Sequence, residues 1–224
     1  MKTATKAGLI ISLSLMIVGL STTVITVAVS GGDLVNIISD DRKETVRQVE
    51  RPYKSVEIKA AVDTVIIEVA DDNVTKVDYF GGDNYSYDVT VRENVLYIES
   101  NSELPSYGVN VLRDGFSNRE LHVYLSSAEL DKLKVKTGVG SVDINDKIYI
   151  DDIKVEAGVG NVSLSGGVSA DTVDIKVGVG SIDISKKAVI NEIKLRAGIG
   201  SVSAPKAQKS FIAESGIGRV ERLS

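Results

Sequence analysis

The chain has 224 residues, no Cys, no Trp and one His, and carries a formal charge of −5. The residue counts exclude disulfide frameworks, thiol nucleophiles and Cys-based metal sites. An acidic chain with no Lys/Arg cluster also has no general attraction for nucleic acid.

Residues 1–32 read as a membrane anchor. Lys2 and Lys6 precede 23 uncharged residues, Ala7–Val29. As a helix this run spans about 34 Å, enough for a bilayer core. Lys on the near flank and Asp33, Asp40 and Asp41 on the far one predict an inside N-terminus and an extracytoplasmic remainder. Ala28–Ser30 before Gly31 also fits a small-x-small cleavage site, so secretion after cleavage near Ser30 is the alternative. The uncharged run exceeds the usual signal h-region of about 7–15 residues, which favours a retained single span.

Residues 33–52 read as a juxtamembrane stalk. Ser39–Glu50 is charged, Asp41 with Glu44 resembles a capping box, and Pro52 is a stop, so a short helix is expected. Residues 53–130 then change period. "SVEIKA", "DTVIIEVA", "VTKVDYF", "YDVTVRE", "VLYIES" and "ELHVYLS" are β-type runs separated by turn clusters such as Arg92-Glu93-Asn94. They form the N-terminal β region of the fold. His122, between Leu121 and Val123, faces away from them by alternation. With neither Cys nor a second His, no nucleophilic constellation is visible.

Residues 131–224 repeat every 20 positions: "DKLKVKTGVGSVDINDKIYI", "DDIKVEAGVGNVSLSGGVSA", "DTVDIKVGVGSIDISKKAVI", "NEIKLRAGIGSVSAPKAQKS" and a shorter fifth copy. Counting each repeat from its Asp or Asn, positions 3, 5, 7 and 9 share one parity and positions 12 and 14 the other. Apolar residues recur down positions 3, 5, 9, 12 and 14, as in Leu133, Ile153, Val173 and Ile193. Alternation along a row with identity down a column predicts an all-β fold, a parallel β-solenoid of about 20 residues per coil, preceded by the one N-terminal transmembrane helix. The chain must bend where parity switches, and glycine suits the corner. The corner glycines are Gly138, Gly140, Gly158, Gly160, Gly178, Gly180, Gly198, Gly200, Gly216 and Gly218. Asp131, Asp151, Asp171 and Asn191 are expected at a second corner.

Little chemistry attaches to these motifs. A phosphate loop needs a helix after its glycines, and a strand-like "SVDI" follows here. A calcium roll needs Asp on successive turns, whereas this column alternates Asp143, Ser163, Asp183, Ser203. No cofactor, metal or catalytic residue is assigned, and no enzymatic activity is expected. One stretch could recognise a ligand: Tyr79, Asp83, Asn84, Tyr85, Tyr87 and Tyr107 place aromatic rings beside Asn/Asp loops, although tyrosine is also an ordinary strand former. A row of Lys on the repeats could meet anionic wall polymers, or simply be a solvated face that blocks edge pairing.

The single N-terminal segment, "VEIKAAVDTVIIEVADDNVTKVDYF", "VTVRENVLYIES", "LHVYLSS" and the tandem "KVKTGVGSVDI" units together resemble the bacterial DUF4097 putative-adhesin family over residues 53–224. The resemblance implies a membrane-tethered β-solenoid that binds a cell-wall polymer or envelope protein. It also implies a second reading, an accessory of an envelope-stress regulatory system. A wall-glycan enzyme is a distant third. The resemblance brings no catalytic residues with it.

Overall fold

The computed structural model describes residues 43–81, 85–101 and 119–223, all within one compact unit. The expected anchor at 1–32 and the first part of the stalk lie outside the described residues. Every described element is a strand.

Seven strands precede the regular repeats: β1 (Lys43–Val49), β2 (Ser55–Val62), β3 (Thr64–Val69), β4 (Thr75–Gly81), β5 (Tyr87–Arg92), β6 (Val95–Ser100) and β7 (Glu120–Leu125). The repeats supply a long and a short strand each: β8 (Glu129–Val139) with β9 (Val142–Ile144), β10 (Tyr149–Val159) with β11 (Val162–Leu164), and β12 (Ser169–Val179) with β13 (Ile182–Ile184). They continue as β14 (Val189–Ile199) with β15 (Val202–Pro205), and β16 (Ser210–Ile217) with β17 (Val220–Leu223). One sheet runs β1-β4-β7-β3-β9-β11-β13-β15-β17 and the other β16-β14-β12-β10-β8-β2-β6-β5.

Successive coils pair in parallel one repeat apart, as in Ile153↔Val173↔Ile193 and Val162↔Ile182↔Val202. Each inward side chain therefore stacks on its counterpart in the next coil. Full burial of a Val, Leu or Ile contributes about 1.5–3 kcal/mol, so these columns carry the stability. Positions 3 and 5 and positions 12 and 14 are buried throughout β8–β15. A third inward row, at positions 18 and 20, holds Ile148, Val168, Ala188, Ile150, Ala170 and Ile190. Ile150 and Ile153 are both inward although three residues apart, so the strand switches parity at Asp151-Asp152. Acid and amide side chains ladder across this bend: Asn191 Nδ2 donates to Asp171 Oδ1 at 2.8 Å and Thr172 Oγ1 to Asp152 Oδ1 at 2.9 Å.

The other bend corrects two expectations. Position 9 faces out rather than in: Val139, Val159, Val179 and Ile199 are exposed, and position 7 is the last buried one on the long strand. The two glycines of each pair also do different work. Gly140, Gly160, Gly180, Gly200 and Gly218 have φ between +140° and +153° and make the turn. Gly138, Gly158, Gly178, Gly198 and Gly216 lie just inside the strand ends, where the bend begins, and have no positive φ. A Cβ on Gly158 would stand 2.4 Å from the Gly138 carbonyl oxygen, so this position is glycine because the previous coil lies too close. Position 11 completes the turn. The Asn161 amide donates to Ser141 Oγ at 3.2 Å, the Ser181 amide to Asn161 Oδ1 at 2.8 Å and the Ser201 amide to Ser181 Oγ at 3.3 Å. A short polar side chain here satisfies the turn amide of the next coil.

The segment before the repeats contains two further coils and a cap. Val56 pairs with Leu133 and Val65 with Val142, so β2–β3 is a coil laid directly on β8–β9. On its other side Val56 pairs with Leu96 and Val65 with Leu121, so β6–β7 forms the outer coil. The parallel stacking is interrupted in this N-terminal β region, because β4, β5 and β1 run antiparallel to β7, β6 and β4. The stalk helix is likewise corrected over its described part. Lys43–Val49 is strand, pairing with Thr75–Gly81, because its β-branched Thr45, Val46 and Val49 suit an edge strand and β4 offers a free edge. Hairpin β5–β6 turns through Glu93 and Asn94, both at positive φ, the geometry of a two-residue primed turn. At the opposite end Arg222 occupies the column held inward by Ile144, Leu164, Ile184 and Ala204. Its guanidinium sits 4.3 Å over the Phe211 ring, which ends the apolar column with a charge.

Candidate binding surface

The outward face of the long-strand sheet presents three rows. Position 4 holds Lys134, Lys154, Asp174 and Lys194, and position 6 holds Lys136, Glu156, Lys176 and Arg196. All eight are charged and six are basic, on a chain whose total is −5. Position 8 is the glycine row. Its parity is outward, so the missing side chains leave a trough beside the charged rows. The trough is an open groove of about 820 Å³ crossing β8, β10, β12, β14 and β16, and Lys136, Glu156, Lys176, Arg196 and Glu214 form its charged wall. Its floor is backbone, and each strand is fixed by ladders on both sides except at β16.

Charge is not spread evenly along the wall. Lys136 pairs with Glu156 at 2.9 Å, Lys154 reaches the same carboxylate at 3.4 Å, and Arg196 meets Glu214 at 3.4 Å. These lysines hold Glu156 below the usual carboxylate range, first through the Lys136 hydrogen bond. Lys134 pairs with Glu57 at 2.9 Å and lowers its pKa in the same way. Lys176 and Lys194 form no ion pair among the described residues. Asp174, in register with Lys194, has none either, so the net unneutralised charge on β12 and β14 in these two rows is a single positive one. The sequence carried the signal for this groove, since position 8 shares the parity of the Lys rows, but glycine reads first as a turn former.

The expected tyrosine surface is corrected. Tyr79, Tyr85 and Tyr87 are only 3, 8 and 4% exposed and pack as core at the β5–β6–β7 end. Tyr87 stacks edge-on to both others, with ring centroids 5.1 and 5.7 Å away. Tyr85 donates to the Tyr87 hydroxyl at 3.1 Å, and Tyr87 donates to Asp63 Oδ2 at 2.7 Å. Arg119 lies 4.6 Å over the Tyr85 ring. Asp83, Asn84 and Tyr107 lie outside the described residues. Three rings were drawn inward because they close the core behind the outermost coil, a role that alternation alone does not reveal. His122 does face outward. Its Nε2 lies 3.1 Å from Glu120 Oε2 and its ring stacks on Tyr124 at 6.0 Å. Among the described residues no cluster of acids or His could hold a metal ion. A second cleft, about 750 Å³, lies between β1 and β5 and is lined by Gln48–Arg51 and Asp88–Arg92.

Asp63 was not singled out from sequence, yet it is 3% exposed. Burial raises its pKa against the opposing pull of its tyrosine hydrogen bonds and Arg119. A raised carboxylate favours the folded state fully below its unfolded value and loses that advantage as pH rises through the folded pKa. Asp63→Asn keeps an acceptor for Tyr87 and removes the titration. Its melting temperature relative to wild type should be highest at neutral pH and should decline as pH falls towards 4. A difference that stays constant across pH would show that Asp63 does not titrate with folding.

Residues 53–213 match the family model described as Toastrack DUF4097. The chain belongs to this family. Among solved structures, the Toastrack fold here is similar to a putative cell adhesion protein from Clostridium sporogenes, at 18% identity and a TM-score of 0.55, covering 81% of this chain and 98% of that one. It is also similar to a putative adhesin from Bacteroides fragilis, at 18% identity and a TM-score of 0.46, covering 81% and 97%. A putative lipid binding protein from Parabacteroides distasonis follows at 12% identity and a TM-score of 0.44, covering 81% and 97%. No curated protein matches. The Toastrack match begins at Tyr53, where the period-two pattern starts, and so leaves out β1.

Proposed function

We propose that this Toastrack chain is a membrane-anchored, extracytoplasmic binding module of adhesin type that presents a rigid face to a polymer of the cell envelope. The observation that carries the reading is the groove across five successive strands. It runs along the stacking direction, so one elongated partner meets the same backbone floor in coil after coil. Parallel ladders fix that floor, so little conformational entropy is lost when a partner lies on it. The uncharged Ala7–Val29 run supports tethering at a membrane, and the charge order around it supports an exported domain. The fold shared with the putative cell adhesion protein from Clostridium sporogenes supports an adhesive role.

The test is co-sedimentation of the full-length chain, held in nonionic detergent, with purified bacterial cell walls. The chain should pellet with the walls and remain soluble without them. A chain that stays in the supernatant at every wall concentration would overturn the reading.

A further inference from the structure

We propose that the glycine-floored groove holds a linear, ringless polyanion, of which a phosphodiester-linked polyol chain is the type. The inference deepens the envelope-binding reading and rests on it. Three features on the groove define the occupant's chemistry.

The first is charge. The wall residues Lys136, Lys176 and Arg196 outnumber Glu156 and Glu214, in a chain that is acidic overall. Both acids are already engaged, Glu156 by Lys136 and Glu214 by Arg196. Neither Lys176 nor Lys194, one row and one strand away, has an ion pair among the described residues, although Asp174 lies in register with Lys194. The wall is thus net positive, and a concave surface concentrates the opposite charge. The second feature is the lining. Among the described residues no aromatic side chain lines the groove, which is walled by charged residues and floored by Thr, Ala, Val, Ser and Gly. A pyranose chain would find no ring to stack on, whereas a slender polyol phosphate needs only cations and a smooth floor. The third is direction. Position 6 projects one side chain per strand, and parallel strands are about 4.8 Å apart, so Lys136, Lys176 and Arg196 lie in one row along the groove, with Glu156 between the first two and Glu214 after the last. A linear polymer with regularly spaced phosphates can meet that line at several points, and a single free anion can meet only one.

The test measures binding of fluorescently labelled poly(glycerol phosphate) to the full-length chain in nonionic detergent. Affinity should fall on the order of tenfold between 50 and 200 mM salt, as displaced counterions require. Lys176→Glu with Arg196→Glu should weaken binding by about tenfold or more. Lys186→Glu with Lys187→Glu changes the net charge equally, on the exposed turn between β13 and β14 away from the groove, and should change affinity less than twofold. Lys176→Gln with Arg196→Gln serves if the reversed pair fails to fold by circular dichroism. Equal losses in the groove and turn variants would overturn the proposal, because binding would then follow net charge alone. Tighter binding of an uncharged polyglucose of matched length would overturn it too. If walls pellet the chain but poly(glycerol phosphate) does not bind, the polyanion is wrong and the envelope-binding reading stands. If neither binds, both fall.

Discussion

Gly160→Val should destabilise the chain by more than about 3 kcal/mol. Two penalties coincide at this residue. Its φ of +144° lies where a β-branched residue is strained, and a Cβ would stand 2.1 Å from the Gly140 carbonyl oxygen. That oxygen belongs to the backbone of the preceding coil and cannot rotate aside. Relief requires the two coils to separate at the corner, which breaks the bonds that the Gly140 and Val142 amides donate to the Val159 and Asn161 carbonyls. Gly167→Ala is the control. Gly167 has ordinary φ, and a Cβ there would meet only the flexible Lys147 side chain, at 3.4 Å. It should change stability by less than about 0.5 kcal/mol. Urea denaturation of the full-length chain in detergent measures both. A Gly160→Val variant as stable as Gly167→Ala would show that the coils are not in contact at the corner.

Ile175→Ala should cost about 3–4 kcal/mol, within the range for truncating a buried aliphatic side chain. Ile175 is fully buried on β12, between Val155 and Leu195 of the flanking coils. A cavity there is walled by ladders on both sides, so little collapse can fill it. Val179→Ala, four residues along the same strand, should cost less than about 1 kcal/mol because Val179 is 45% exposed. The sequence alone gives these two positions the same parity and the same expected burial. Equal losses for the pair would return position 9 to the core and remove the outward turn from the account.

That contrast shows how far the sequence could be read. Positions 3, 5, 12 and 14 were legible because identical apolar columns at a fixed period leave few packings. The parity rule failed at position 9 because the chain begins to turn at Gly158 and its counterparts, one residue before the strand formally ends. The third inward row at positions 18 and 20 went unread, since Ala188 and Ala170 dilute its hydrophobic signal. The coil β2–β3 escaped notice for a physical reason. Its corner reads Ala61-Val62-Asp63 where the repeats have Gly-Val-Gly. Pairing with the outer strand β6 stops at Lys59↔Glu99, so among the described residues no strand pairs behind Ala61 to demand a glycine there. The family match from residue 53 includes this coil, although its corner lacks the repeat's most visible letters. The groove was legible in parts, as a Lys row and a glycine row, and only the coil geometry sets one beside the other.

The central claim is that the partner lies along the position 8 row. Amide hydrogen exchange of the full-length chain, with and without muramidase-solubilised wall fragments, tests it most directly. The account predicts slowed exchange at 136–138, 156–158, 176–178 and 196–198, with residues 88–92 of the other cleft unchanged. Protection confined to 48–51 and 88–92, or no protection on any of the five groove strands, would contradict it.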